Sequence, residues 1–209
     1  MIVLNLRLFP LTTALRLPVL CAYTVRLNGL RRGSVTLTSP ARFAMVRLGM
    51  TGSAGDNEHP FSKLTVQRGG RLLLGDNVII GKGFNLFIGV NGVMEIGDHF
   101  ACNINAKLSA VQQVVFDRDV LVGGHVDVRD SDGHTIIDEN GVAKENRKPV
   151  HIGSHVWLAS KTSVLKGVTI PVGCVVAYGS CCLKPFAAEN ALIAGFPAKV
   201  IQENIRWQE

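Results

Sequence analysis

The sequence predicts an all-β chain wound as a solenoid of short strands, and three observations predict it. Between Ile152 and Lys184 an aliphatic or small apolar residue returns every six positions, at Ile152, Leu158, Val164, Ile170, Val176 and Cys182. Neither the 3.6-residue period of a helix nor the two-residue alternation of a simple strand gives that spacing. Short strands joined by tight corners, each pointing one aliphatic inward, do give it. The second observation is a recurring corner: Leu74-Gly75-Asp76-Asn77, Ile96-Gly97-Asp98-His99, Phe116-Asp117-Arg118-Asp119, Ile152-Gly153-Ser154-His155 and Ile170-Pro171-Val172-Gly173. Turns this tight need glycine or Asx backbone conformations. The third is composition: 209 residues with 47% hydrophobic content suffice for one domain with a continuous core.

Taken in order, residues 1–60 lack the repeat and read as an N-terminal cap, because the first coil of a stacked solenoid leaves backbone donors and acceptors bare. Within them SVTLTS and FAMVRLG alternate as short strands. Arg7, Pro10, Arg16 and Pro18 break the apolar start, so it offers neither the roughly 20 apolar residues of a membrane span nor the order of an export signal. Residues 61–187 read as the solenoid. Six residues after each corner come Ile80, Cys102, Val122, Leu158 and Val176, and a third set follows at Ile88, Leu108, Val128, Val164 and Cys182. That makes three strands per coil and about five coils. Val128 and Ile152 are 24 residues apart where the repeat predicts six, so a loop at about 134–150 leaves the solenoid. Loops of that length within a compact domain are often functional. In residues 188–209, Gly195 and Pro197 end the extended chain, and AKVIQENIRWQE reads as a short helix capping the last coil.

The net charge of +6 and pI near 9.3 point to an anionic partner. With only 6% aromatic residues and no basic run interleaved with stacking rings, nucleic acid is not that partner. Arg26, Arg31, Arg32 and Arg42 form a solvated face or touch an acidic surface. Five cysteines, odd in number and without paired CxxC spacing, point to a reducing compartment and no metal. The expectation is a cytoplasmic protein with at most weak contact between its N-terminal segment and a membrane surface. In the loop, His134 is a candidate general base, because an imidazole with an ordinary pKa of about 6.5 accepts a proton at neutral pH. Asp130 and Asp132 flank it.

The hexapeptide run, the loop that interrupts it and the ending ALIAGFPAKVI together resemble the left-handed β-helix acyltransferases over roughly residues 64–203. DSDGHTI at 130–136 followed by IGSHVWLAS at 152–160 is most similar to the O-acetyltransferases of capsular and lipopolysaccharide biosynthesis. The resemblance implies a left-handed coil, against the usual crossover rule, and a homotrimer with active sites between subunits. It also implies acetyl transfer from acetyl-CoA to a hydroxyl of a cell-surface polysaccharide or its sugar precursor. His134 would be the general base, Asp132 would support its imidazole, and Trp157 would border the acceptor and the thioester. A backbone N–H around Ala159 and Ser160 would face the oxyanion. Ala177 and Tyr178 would line the cofactor groove, and Lys184 and Lys199 would lie near its phosphates. The chain departs from the family at Ala159 and Pro171, where glycine is common, and at Tyr178, where a small residue is. Asn85, Asn105 and Arg129 are candidates for binding the acceptor. Three other readings stay open: a xenobiotic acetyltransferase, a zinc-dependent hydratase using His99, His125, His151 and His155, and a non-catalytic trimeric scaffold.

Overall fold

The computed structural model describes residues 1–51 and 61–208. Residues 52–60 of the expected cap, and Glu209, lie outside the described residues. Three parallel sheets wind around one core. Face A stacks Val19–Cys21, Val46–Leu48, Val78–Ile80, Ala101–Cys102, Leu121–Val122, Trp157–Leu158, Val175–Val176 and Leu192–Gly195. Face B stacks Val25–Asn28, Ser62–Val66, Asn85–Ile88, Lys107–Ala110, Asp127–Arg129, Ser163–Val164 and Cys181–Cys182. Face C stacks Val35–Leu37, Arg71–Leu74, Val93–Ile96, Gln113–Phe116, Val150–Ile152 and Thr169–Ile170. The chain visits A, B and C in turn.

The six-residue period is the register of this stack. Cys102, Val122, Leu158 and Val176 lie one above another on face A. Leu74, Ile96, Phe116, Ile152 and Ile170 do so on face C, and all six residues from Ile152 to Cys182 are fully buried. On face B the rung below Leu108 is Leu86, not the expected Ile88, which pairs with Ala110. The face B strand of this coil is four residues long and turns two side chains inward, so both Leu86 and Ile88 are buried and either reads as an apolar rung.

Two ends differ from expectation. The stack begins at Val19, whose strand pairs in parallel with Val46–Leu48, so most of the supposed cap is solenoid. Its first coils carry longer corners, which hides the period. The cap itself is two short helices, Ile2–Leu8 and Leu11–Ala14. Asn5 does the capping: its amide nitrogen donates to the Val19 carbonyl at 2.9 Å and its oxygen accepts from the Val19 N–H at 3.1 Å. The side chain thereby stands in for the strand that the sheet edge lacks. At the other end the described residues form no helix. Ala198–Gln202 pairs antiparallel with Leu192–Gly195. Ala198 and Val200 pack on the core while Lys199 and Ile201 face outward. This two-residue alternation covers an edge that a helix would leave open.

The cysteines are free, and four of the five are buried. Burial pushes the thiols of Cys102 and Cys182 up to about 12, which keeps them protonated and inert.

Replacing Asn5→Leu leaves a buried N–H and C=O of Val19 without partners. The expected cost is about 1–3 kcal/mol, read as a lower urea midpoint at unchanged slope. A midpoint equal to the parent's would remove Asn5 from the capping role.

Candidate active site

The loop leaves the stack at the corner between faces B and C, and a buried carboxylate fixes the exit. Asp130 is fully buried and accepts the backbone N–H groups of Val111, Gln112 and Gln113 at 2.8, 2.6 and 2.7 Å. It therefore anchors the corner and does not orient His134, as its place beside the histidine suggested. Beyond it the chain runs out and back as an irregular hairpin, with Asp132 N–H donating to Asn146 and Lys144 N–H to Ile136 at 2.9 and 2.8 Å. The Asp132 carboxylate is ion-paired with Lys166 on the next coil, and the same ammonium donates to the Glu145 carbonyl at 2.6 Å. Lys166 thus fastens both arms of the hairpin to the solenoid, and it is Lys166, not His134, that engages the Asp132 carboxylate. His134 follows Gly133 and is exposed.

Trp157 opens its face A strand and points outward, about one-third exposed. Two residues on, the chain turns the corner between faces A and B. The Ala159 N–H is consumed by the ladder, donating to the Val176 carbonyl at 2.9 Å. The Ser160 N–H is different. Its counterparts one and two coils below, Gly124 and Ile104, donate to the side-chain oxygens of Ser160 and Asn103 at 3.1 and 2.9 Å. Among the described residues Ser160 N–H has no such acceptor, and neither has that of Tyr178 one coil above. Gly123 makes room for this segment: a Cβ there would lie 2.5 Å from the Ser160 nitrogen. Tyr178 stands exposed beside Ala177, with the Lys161 ammonium 5.4 Å from its ring centroid. Ser160 and Tyr178, each following an alanine, thus leave backbone donors open at one corner among the described residues, which fits the slender amide-bearing arm of coenzyme A.

The structure does not bring every candidate together. Lys184 lies at the B–C corner one coil above Lys166, on the edge that carries His134. Lys199 is exposed on the outer strand of the terminal hairpin. The whole width of face C separates the His134 loop from Trp157 within one chain. Asn85 and Arg129 are on the outside of face B, where Arg129 Nε donates to Asp127 at 3.0 Å. Asn105 occupies a positive-φ corner with its amide 3.5 Å from His125. Asn85 lies beside Asn105, its N–H donating to the Ala106 carbonyl at 2.8 Å, while Arg129 sits at the far end of its face B strand. The histidines of the hydratase reading are dispersed: His99 and His155 at the C–A corner, His125 at the A–B corner, and His151 on face C beside Asp117 at 3.1 Å. Among the described residues no three His, Cys, Asp or Glu side chains form a metal-holding group.

One neighbour of Trp157 had no signal in the sequence. Trp207 returns from the C-terminal tail and stacks on His155, ring centroids 4.2 Å apart and nearly parallel, with its centroid 6.0 Å from that of Trp157.

No family model matches the chain. It is 34% identical over 137 residues to a Saccharomyces cerevisiae protein named "Putative acetyltransferase", covering 64% of this chain and 68% of the relative. It is 28% identical over 147 residues to an Escherichia coli protein named "Putative lipopolysaccharide biosynthesis O-acetyl transferase", covering 66% and 74%. The solved polySia-specific acetyltransferase NeuO has the same fold, at a TM-score of 0.57 and 22% identity over 92% of this chain and 89% of that one. The coil is the left-handed β-helix. With its six-residue ladder and the extent of the yeast match, the chain belongs to the hexapeptide-repeat family of O-acetyltransferases.

Proposed function

We propose that the chain transfers acetyl from acetyl-CoA to a hydroxyl of a cell-surface polysaccharide or its sugar precursor, at sites shared by neighbouring subunits of a homotrimer. The observation that carries this is the division of the chemistry between two edges of one prism. His134 and Lys184 stand on the B–C edge, while Trp157, Ser160, Ala177, Tyr178 and Lys199 belong to face A and the A–B corner. A cyclic trimer sets one edge of each chain against the other edge of its neighbour. The relative named for lipopolysaccharide biosynthesis supports a glycan hydroxyl as acceptor.

Acetyl-CoA supplies the thioester. His134 of one subunit takes the proton from the acceptor hydroxyl as its oxygen attacks, and returns it to the departing sulfur. The neighbour's Ser160 N–H donates to the oxygen that gains charge, and Trp157 confines the reacting groups. Asp132 holds the loop at working height through Lys166. Ala159 borders the passage that Ala177 and Tyr178 continue. Lys184 and Lys199 face the phosphates.

Two single variants test this division. His134→Ala lowers kcat by at least about 100-fold, and Trp157→Ala weakens use of both substrates. Co-expressed as mixed trimers, the two impaired chains recover about a quarter of wild-type activity above their residual rates, because one interface in four unites both intact edges. No recovery in mixed trimers would place the two residues in one subunit's site and sink the shared-site reading.

We further propose that the protein works on the cytoplasmic face of an anionic membrane, with its N-terminal end against the lipid. No described helix is long and apolar enough to cross. Seven arginines and no acidic residue precede Asp56, whereas the remainder carries fifteen basic and sixteen acidic residues. Ile2, Val3, Leu6, Leu11 and Leu15 are exposed in the cap segment, which also carries exposed Arg7 and Arg16. Exposed apolar side chains together with arginines suit the interface of a charged bilayer. Free thiols accord with a reducing compartment. Sedimentation with vesicles containing a quarter phosphatidylglycerol is expected, and it weakens at least about tenfold in Arg7→Glu/Arg31→Glu at about 1 kcal/mol per charge near the surface. Equal binding to neutral vesicles would overturn the electrostatic contact.

A further inference from the structure

We propose that a cavity of about 230 Å3 between face A and the C-terminal tail is the subsite for one neutral sugar ring of the acceptor, with Trp207 as its platform and Asp119 and His99 as partners for its hydroxyls. This rests on the acetyl-transfer reading above and names the chemistry of its acceptor.

The sequence builds the cavity from three layers. Ala101 and Leu121 are its apolar floor, outward-facing residues of adjacent face A strands in register with Trp157. The C–A corner is its polar wall. There His99, Asp119 and His155 all hold positive φ, at 56°, 58° and 53°. Their N–H groups donate to Asp76, Asp98 and Arg118 carbonyls of the coil below at 2.8, 2.9 and 3.0 Å. That ladder fixes the backbone and aligns the three side chains in one outward row. His99 Nδ1 donates to Asp119 at 3.2 Å, leaving carboxylate lone pairs open to the cavity. Arg118 Nε lies 3.8 Å from the other oxygen.

Trp207 is the roof, and it is held firmly. Beside the stacking on His155, its indole N–H donates to the His155 carbonyl at 3.0 Å, and His155 Nε2 donates to the Trp207 carbonyl at 3.2 Å. Two residues earlier, Ile205 N–H donates to the Asn190 carbonyl at 2.8 Å. A tail that needed only an anchor would bury its indole; this one stands over a cavity. A preorganised aromatic wall facing a carboxylate and an imidazole, over an aliphatic floor, matches the C–H face and hydroxyl rim of a pyranose. The volume is below the roughly 300–1,000 Å3 of pockets for drug-sized ligands, so it takes one ring. A ring bearing its own carboxylate would set that charge against Asp119. The cavity lies on the N-terminal side of Trp157 and the Ala177–Tyr178 corner on the C-terminal side, so the acceptor and the acetyl donor approach Trp157 from opposite ends of the prism.

The test uses the full chain with the methyl glycosides of glucose, galactose and mannose, and the methyl glycoside of N-acetylneuraminic acid. Saturation-transfer NMR without acetyl-CoA reads binding; acetyl-CoA consumption reads turnover. At least one neutral glycoside should bind, with its acceptor KM raised at least about tenfold in Trp207→Ala and in Asp119→Asn at unchanged KM for acetyl-CoA. Trp207→Phe, which keeps a platform, should retain most of the affinity. Binding of the sialoside alone, of none of the glycosides, or an unchanged acceptor KM in both variants overturns the proposal. So does an equal rise in both KM values, which would make Trp207 a mere tether. A wild-type protein that binds a neutral glycoside through Trp207 yet consumes no acetyl-CoA with any acceptor would instead sink the acetyl-transfer reading and leave the subsite standing.

Discussion

Everything in this molecule hangs on the hand-over of backbone hydrogen bonds from each coil to the next. A strand of two or three residues has no stability of its own. Its N–H and C=O groups are satisfied only if the coils above and below keep register, and the register is held by one or two inward aliphatics per strand. The constraint reaches the corners, where residues such as His99, His155 and Lys161 accept positive φ so that the ladder closes. It reaches the ends as well: Asn5 supplies a side chain where a strand is missing, and the terminal hairpin supplies a reversed strand.

Such a ladder fills its own interior, so chemistry is confined to corners and outer faces. Two departures from the repeat then matter more than the repeat itself. One is the hairpin carrying His134, and the other is the tail carrying Trp207. At the A–B corner the Ser160 N–H, which has no acceptor among the described residues, acquires its meaning from the satisfied ones at Gly124 and Ile104.

The period from Ile152 to Cys182 was legible in the sequence because these coils have minimal corners and one inward residue per strand. In the coils before it the corners and the Ile80, Cys102 and Val122 rungs were legible, but four-residue strands blur the spacing between them, as Leu86 and Ile88 illustrate, and longer corners hid the first coils from Val19 altogether. The terminal segment read as a helix because Ala198, Lys199, Gln202 and Glu203 favour one, and tertiary context overrode that preference by offering an open edge. For the site, the loop and Trp157 were visible as an insertion and a motif. The roles of the two aspartates were not: only the fold sets Asp130 beneath three backbone donors and Asp132 against Lys166. Trp207 meets His155 across 52 residues, a pairing that no local pattern announces.

The buried anchorage at Asp130 has a consequence for how such a protein changes. Asp130 and Val150 bracket the hairpin, both fully buried, and beyond them the solenoid resumes as though nothing had intervened. A segment mounted in this way can be lengthened, shortened or exchanged while the core remains blind to it. The prism is thus a chassis with a defined socket, and variation in what it acts upon can proceed by refitting one outboard part, without renegotiating the fold.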